Sequence, residues 1–471
     1  MAHLDLRLAG AVGLGKLAGA TSRGLRLGGG TTMPGDVARA IDPRVLSKLA
    51  ASAALGTVLV TGTNGKTSTT AMLRAAISDA GWRVASNSSG SNLVYGLTAA
   101  AITRANLAGR LGIDWLILEV DELSAPQAVA ELKPRGLVVL NVFRDQLDRS
   151  FEVDQVSERL ATAVAGLPPT SFWVGNADDP RVASIGVARN GRAARPGLLF
   201  GIDDLRVAHA ALPVVADARV CPLCRSELDY SRVYYAHCGV YHCRGCGFSR
   251  PEPQVRATNI TTGGLDSVEV ELVEKGVGVL VKLPVGGLYH AANVAAAFTA
   301  ATAMGVSGER AGQALSSFQP AFGRSQLASW RGSQVRLLLT KNPAGLDANL
   351  RAVMELDTSP VVAIALNDGV ADGRDISWIW DIDLERLAVS RPLDIVASGT
   401  RARDLALRLA YSGLGQARIR VCPQPEAALT ALAEAAVPGT PAPALLTYTA
   451  MMEWHRLLVR SGAVDPFWAG A

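Results

Sequence analysis

Short apolar runs alternate with longer segments of mixed polarity along this chain, the pattern of strands buried in a parallel sheet and joined by helices. Thr57 to Val60 is the first such run. A Gly-containing turn follows it, and from Thr69 a segment rich in Ala, Met, Leu and Arg predicts a helix. Asp114 to Glu122 and Gly136 to Val142 read as further buried parallel strands that end in polar residues, where α/β sheets bind ligands. Val335 to Leu339 and Val361 to Leu366 are strand candidates later in the chain, and Tyr289 to Ala297 opens a helix after a Gly-Gly turn. Near the start, Leu4, Leu8 and Val12 recur at i+4 among Arg7, Lys16, Arg23 and Arg26, before a break at Gly28 to Gly30. Many Ala and Gly residues weaken this apolar face, so packing on the next domain is preferred to lying on a membrane.

Length and composition bound the answer. A chain of 471 residues has room for two or three domains, and 49% hydrophobic with 19% charged residues suits a soluble α/β enzyme. The net charge of +4 is too small to argue for nucleic acid, although it would suit an anionic substrate. No apolar run approaches the roughly 20 residues of a membrane span. Asp5 and Lys16 spoil a signal-peptide reading of the start. The expected location is the cytosol.

The chemistry centres on Gly62-Thr-Asn-Gly-Lys-Thr67. A tight glycine turn between a strand and a helix N-terminus converges backbone N–H groups on an anion, and the helix dipole adds to the attraction. Lys66 is placed to reach the β- and γ-phosphates, and the Thr67 hydroxyl to hold a bridging Mg²⁺. Val60 stands where the generic phosphate-loop pattern has its first glycine, so the shorter six-residue form is the more telling one. Glu119, Asp121 and Glu122 are hard-oxygen candidates for magnesium, with Glu119 the first choice.

The second strong pattern is Cys221-Pro-Leu-Cys224 with Cys243-Arg-Gly-Cys246, two Cys-x-x-Cys knuckles 18 residues apart. Cys221, Cys224, Cys243 and Cys246 predict a four-thiolate structural zinc ribbon, a closed site that staples a subdomain and leaves no open position for catalysis. His237, Cys238 and His242 are poor competitors as ligands. Tyr230, Tyr234, Tyr235 and Tyr241 with Arg232 and Arg244 form an aromatic and basic mix that, by itself, would also suit nucleic acid.

The phosphate loop resembles that of the Mur ligase superfamily, enzymes that activate a carboxylate as an acyl phosphate and join it to an amine. Asn141-Val-Phe-Arg-Asp-Gln-Leu-Asp148 is similar to a run those enzymes carry, with Gln146 where they have His; Asp145 and Asp148 are read as orienting loops. Tyr289-His-Ala-Ala-Asn293 resembles the helix whose Asn approaches the nucleotide base, which assigns that role to Asn293, with His290 as second choice. Phe318 to Gln326 resembles the Gly-Arg linker to the last domain, with Arg324 meeting phosphate. Lys341-Asn-Pro343 stands where the superfamily shows His-Asn-Pro. The resemblance covers about residues 56 to 455.

Within the superfamily, about 55 residues before the loop, the cysteine insertion, Asp372-Gly-Arg-Asp-Ile-Ser-Trp-Ile-Trp-Asp381 and Thr447-Tyr-Thr-Ala-Met451 closely resemble the MurT family. That resemblance implies an α/β fold: an N-terminal segment (1–55), a Mur ligase-type P-loop ATP-binding domain (56–320) with a four-cysteine zinc ribbon inserted at about 218–252, and a C-terminal α/β Mur ligase-like domain (321–471). It implies ATP, Mg²⁺ and structural Zn²⁺, with Thr63, Asn64, Gly65, Lys66, Thr67, Ser68, Asn293, Arg324 and Asn342 at the nucleotide. It implies amidation of the α-carboxylate of D-isoglutamate in the lipid II stem peptide, at the inner face of the cell membrane, with ammonia from the glutaminase subunit GatD. No nucleic-acid partner is implied. An acid of the last domain would complete the partner's Cys-His pair, with Asp375 favoured over Asp372 and Asp381. No counterpart of a carbamylated lysine is expected, and neither Cys238 nor Cys422 lies in a nucleophile motif. The rival readings are a stand-alone amide ligase of the folylpolyglutamate synthase kind and a nucleic-acid-binding ATPase gripping through the ribbon.

Overall fold

The computed structural model describes residues 5–24, 32–87, 92–145, 153–188, 194–319, 324–356, 361–390 and 393–465. Two large sheets organise it. The first has nine strands in the order Val277–Leu283, Ser267–Glu274, Val255–Gly263, Leu198–Ile202, Phe172–Asn176, Gly136–Val139, Gly56–Thr61, Trp115–Glu119 and Val84–Ser86. Its strands pair in parallel except at the Val277 edge, where Ser267–Glu274 runs antiparallel to both neighbours.

Alternation along these strands feeds two cores, as a period of two requires. Val58 and Val60 pack with Met72, Leu73 and Ile77 of the helix Lys66–Asp79 and with the Ala-rich helix Tyr289–Ala303. Leu59, Leu116, Leu118 and Leu137 turn to the opposite face, under the helices Leu6–Gly24, Val45–Ala50, Val94–Arg104 and Val153–Ala165. The N-terminal helix packs, as expected, against the domain rather than standing alone, burying Leu8, Ala11 and Val12 against the helices Met33–Ile41 and Val94–Arg104 that overlie the sheet. No helix among the described residues is long and apolar enough to cross a membrane.

The second sheet runs Arg324–Trp330, Ser333–Leu339, Ala442–Leu446, Val361–Ala365, Asp394–Ser398 and Ile419–Val421, parallel beyond its first antiparallel pair. The helices Pro343–Met354 and Ala402–Tyr411 cover one face, and Pro425–Glu434 with Tyr448–Arg460 cover the other. The carboxyl end of its strand Ser333–Leu339 delivers Thr340 to Asn342 against the glycine turn of the first sheet. A separate two-stranded hairpin, Leu228–Tyr235 with Cys238–Cys243, carries the cysteines.

Candidate active site

The strand Gly56–Thr61 lies between Trp115–Glu119 and Gly136–Val139, so three carboxyl ends converge at one point. This is where the chain order reverses across a parallel sheet and where ligands bind. Gly62 and Gly65 have φ of 127° and 90°, a region that favours glycine. At Gly65 a Cβ would collide with the Asn293 side chain, so the turn and the Tyr289 helix fit only around a hydrogen atom.

The loop is held from both sides. The Asn64 N–H donates to Asn141 Oδ1 at 2.8 Å, and Asn141 Nδ2 returns a bond to the Asn64 carbonyl at 3.0 Å. The Thr63 hydroxyl accepts from the Phe143 N–H at 3.0 Å and lies 3.2 Å from the Phe143 carbonyl. Lys66 is 6% exposed; its ammonium donates to the Gly62 carbonyl at 2.6 Å and pairs with Glu122 at 3.2 Å. Burial alone would lower the pKa of Lys66, but Glu122, Glu119, Asp145 and Asp121 together hold it above the ordinary lysine value. Burial, helped by Glu122, pushes the Asp121 carboxyl up. Thr67 Oγ1 donates to Glu119 Oε2 at 2.9 Å, so the hydroxyl and the carboxylate already meet where a hard cation would take both oxygens.

The second sheet closes the cleft. Asn342 caps the helix Pro343–Met354 by accepting from the Gly345 N–H at 2.9 Å, while its Nδ2 donates to Asn64 Oδ1 at 3.0 Å. Lys341 reaches Asp145 at 2.7 Å. Asn64, Gly65, Ser68, Asn293, Lys341 and Asn342 thus line one cavity. A neighbouring cavity, which shares Lys341, is lined by Lys66, Asp121, Glu122, Asp145 and Tyr448. His290, against the Tyr289 ring at 4.4 Å between centroids, also lines the first. Gln146 and Asp148 fall outside the described residues, as does the side chain of Arg324, whose backbone opens the first strand of the second sheet.

The three candidate acids separate. Asp372 is buried and accepts from the Thr449 N–H at 2.8 Å and from the Thr449 hydroxyl. Asp381 pairs at 3.0 Å with Arg144, itself held by Asp217 at 2.6 Å, and so clasps the two sheets together. Asp375 is exposed between them and accepts from the Ser377 N–H at 2.8 Å, capping the turn Ser377–Asp381. Trp378 is buried, whereas Trp380 is half exposed, with Arg408 over its ring at 5.2 Å.

The two cysteine knuckles have the same backbone. The N–H groups of Cys221 and Cys243 donate to the carbonyls of Ser226 and Phe248, and those of Arg225 and Gly247 return bonds to the Cys221 and Cys243 carbonyls. Arg225 and Gly247 occupy the same left-handed position, at φ 67° and 75°. Cys221 and Cys246 sulfurs lie 3.7 Å apart, those of Cys224 and Cys243 3.4 Å, and all four fall within 4.8 Å of one another. Sulfurs about 2.3 Å from a tetrahedral zinc would sit about 3.8 Å apart, so the four thiols fit such an ion. His242 lies outside this cluster, and Cys238 groups instead with Asp179 and His237. The hairpin tyrosines are spent on packing: Tyr234, Tyr235 and Tyr241 are buried, and Tyr230 donates to the Ala218 carbonyl at 2.7 Å. Stacking platforms for bases are therefore lacking there.

Sequence reasoning singles out the run from Asn141 and the tyrosines near the knuckles but misses what they do: Asn141 holds the loop from beneath, Arg144 closes the clasp and Tyr235 walls the first cavity. No local spacing links these residues to the loop.

Comparison with known proteins places this geometry. The Mur ligase middle domain family matches residues 60–215, and the MurT ligase C-terminal family matches residues 339–451. The lipid II isoglutaminyl synthase (glutamine-hydrolyzing) subunit MurT of Staphylococcus aureus (strain N315) is 31% identical over 402 residues, 85% of this chain and 86% of the relative. The chain belongs to the MurT family. The Streptococcus pneumoniae (strain ATCC BAA-255 / R6) MurT subunit is 30% identical over 449 residues, 94% of this chain and 96% of that one. Among solved structures, a pseudomurein peptide ligase type C from Methanothermus fervidus superposes with a TM-score of 0.64 at 21% identity, over 86% of this chain and 78% of that one. The MurT chain is accordingly a ligase with the Mur ligase α/β fold.

Proposed function

We propose that this MurT chain is the synthetase subunit of a lipid II isoglutaminyl synthase. MgATP phosphorylates the α-carboxylate of the D-isoglutamyl residue in the lipid II stem peptide. Ammonia then attacks the acyl phosphate carbon, phosphate leaves with the bonding pair, and D-isoglutamine remains after loss of a proton. The observation that carries this reading is the cleft formed by two adjoining cavities, in which Lys341 joins Lys66 and the carboxylates behind it to Asn64 and Asn342. The names of the two relatives supply the substrate.

Each residue has a role in this reading. The amides of Gly65 to Thr67 and the Lys66 ammonium stabilise charge on the transferring phosphoryl group, while Thr63 and Asn64, tied to Asn141, hold the loop in shape. Thr67 and Glu119 would hold magnesium, which would offset the negative charge of the phosphates. Asn293, Ser68 and Asn342 place the nucleotide, and Lys341 stands ready to leave Asp145 for phosphate. The domain division is 56–320 and 321–471, and Cys221, Cys224, Cys243 and Cys246 would bind zinc as a ribbon inserted at about 218–252.

Ammonia comes from a glutaminase subunit, GatD, at the inner face of the membrane where lipid II is presented. Of the three acids, Asp375 alone is both exposed and outside the clasp and the Thr449 anchor, which supports it as the group that orients the partner's catalytic histidine. The test supplies either glutamine or ammonium to the chain with GatD, MgATP and lipid II. Amidation from glutamine that depends on GatD supports the reading. Equal use of glutamine with and without GatD would overturn the subunit assignment.

A further inference from the structure

The cysteine hairpin has two working ends. Its register runs from Leu228 opposite Cys243 at the knuckle end to Tyr235 opposite Cys238 at the turn, a lever of about 25 Å for eight residues. The turn is driven into the nucleotide-binding body. His237 is fully buried, its Nδ1 accepts from the Asp217 N–H at 3.3 Å, and its Nε2 lies 3.3 Å from Asp179 Oδ1. The other Asp179 oxygen takes the Val142 N–H at 2.8 Å.

Phe143, the next residue, is gripped by the same turn. The His237 ring lies 4.8 Å from the Phe143 ring, and the Tyr235 ring meets it edge-on at 6.4 Å. Phe143 in turn holds Thr63 of the phosphate loop through its main chain. Tyr235 itself, 8% exposed, lines the cavity beside Asn64, Gly65 and Asn293. The hairpin is thus a wall of the nucleotide site and a brace for its loop.

At the knuckle end, the small apolar cluster buries Cys221, Leu228, Tyr241 and Cys243 against Ala183, with Leu223, Tyr230 and Phe248 partly buried beside it. The turn is anchored in the body, but the knuckle end has only this small cluster, so a metal at the thiols would supply much of the order of that end. We propose that Tyr235 is a positioning residue of the nucleotide site and that metal at the four cysteines and nucleotide in the cleft strengthen each other's binding. The inference rests on the reading above that the cleft takes MgATP and the thiols take zinc. Such coupling is reciprocal: whatever factor zinc adds to nucleotide affinity, nucleotide must add to zinc affinity.

The experiment uses the full chain, with MgADP as probe in calorimetry and a competing chelator for zinc. Zinc-loaded protein should bind MgADP at least about 5-fold more tightly than zinc-depleted protein, and saturating MgADP should raise zinc affinity by the same factor. Tyr235→Ala, still carrying one zinc per chain, should weaken MgADP by a similar factor, whereas Tyr235→Phe should bind like wild type. Equal MgADP affinity in Tyr235→Ala and wild type overturns the proposal, even if the zinc-depleted protein proves too unstable to titrate. Tight MgADP binding that ignores zinc overturns the coupling while leaving the ATP reading intact. Wild-type protein that holds zinc but binds no MgADP overturns the ATP reading and this inference with it.

Discussion

Replacing Lys66 with alanine should destabilise the fold as well as stop catalysis. Lys66 is the cation buried among Glu119, Asp121, Glu122 and Asp145, and its side chain and that of Glu122 are 7% and 11% exposed. Removing one partner of a buried pair leaves the other charge uncompensated, which costs about 3–5 kcal/mol. At about 2–4 °C per kcal/mol for a domain of this size, the melting temperature should fall by about 6–20 °C at pH 8. The sign with pH follows from the groups involved. Lys66, raised above the ordinary lysine value, contributes fully at any pH below that value, so its own titration does not enter between pH 5 and 8. Asp121, already raised, rises further without Lys66; a raised carboxyl costs stability when ionised and stops doing so as pH falls. The deficit should therefore be largest at pH 8 and shrink toward pH 5, and Mg²⁺ should stabilise Lys66→Ala more than wild type. Differential scanning fluorimetry across that range, with EDTA or Mg²⁺, reads all three. A variant as stable as wild type at pH 8, or a deficit that grows on acidification, would refute the charge-cluster argument.

Three further outcomes are expected. Asp375→Asn should lose glutamine-dependent amidation in the complex while keeping the ammonium-dependent reaction, whereas Asp372→Asn should weaken the Thr449 anchor and lower stability by about 1–3 kcal/mol, read by denaturant melts. Metal analysis should find one zinc per chain, reduced in Cys224→Ser, with early proteolysis within the hairpin. Arg144→Ala should release Asp381 from the clasp and raise KM for ATP more than it lowers melting temperature, because the contact joins the two sheets and both side chains are partly exposed.

The parts of the site that sit within a few residues of one another were legible in the sequence. The glycine turn and the cysteine knuckles each show their chemistry through local spacing, Asn342 is reached through the resemblance of Lys341-Asn-Pro343, and the strand runs at Thr57, Asp114, Gly136, Val335 and Val361 fall on observed strands. What escaped was everything built by long-range closure. Asn64 and Asn342 are 278 positions apart and exchange hydrogen bonds between their side-chain amides; Lys341 and Asp145 are separated by 196. Asp372, Asp375 and Asp381 look alike as three acids in one loop, and only the fold buries the first, exposes the second and pairs the third. Likewise a tyrosine-rich hairpin reads as a stacking surface until its rings are found packed against the body that binds the phosphate loop.

The central claim is tested most directly by mass spectrometry of lipid II after incubation with this chain, MgATP and ammonium, beside Lys66→Ala. Conversion of one carboxyl to an amide, a loss of about one mass unit that requires ATP and disappears with Lys66, is the result predicted by phosphoryl activation in this cleft. Unchanged lipid II in the presence of both ammonium and the glutaminase partner would contradict it.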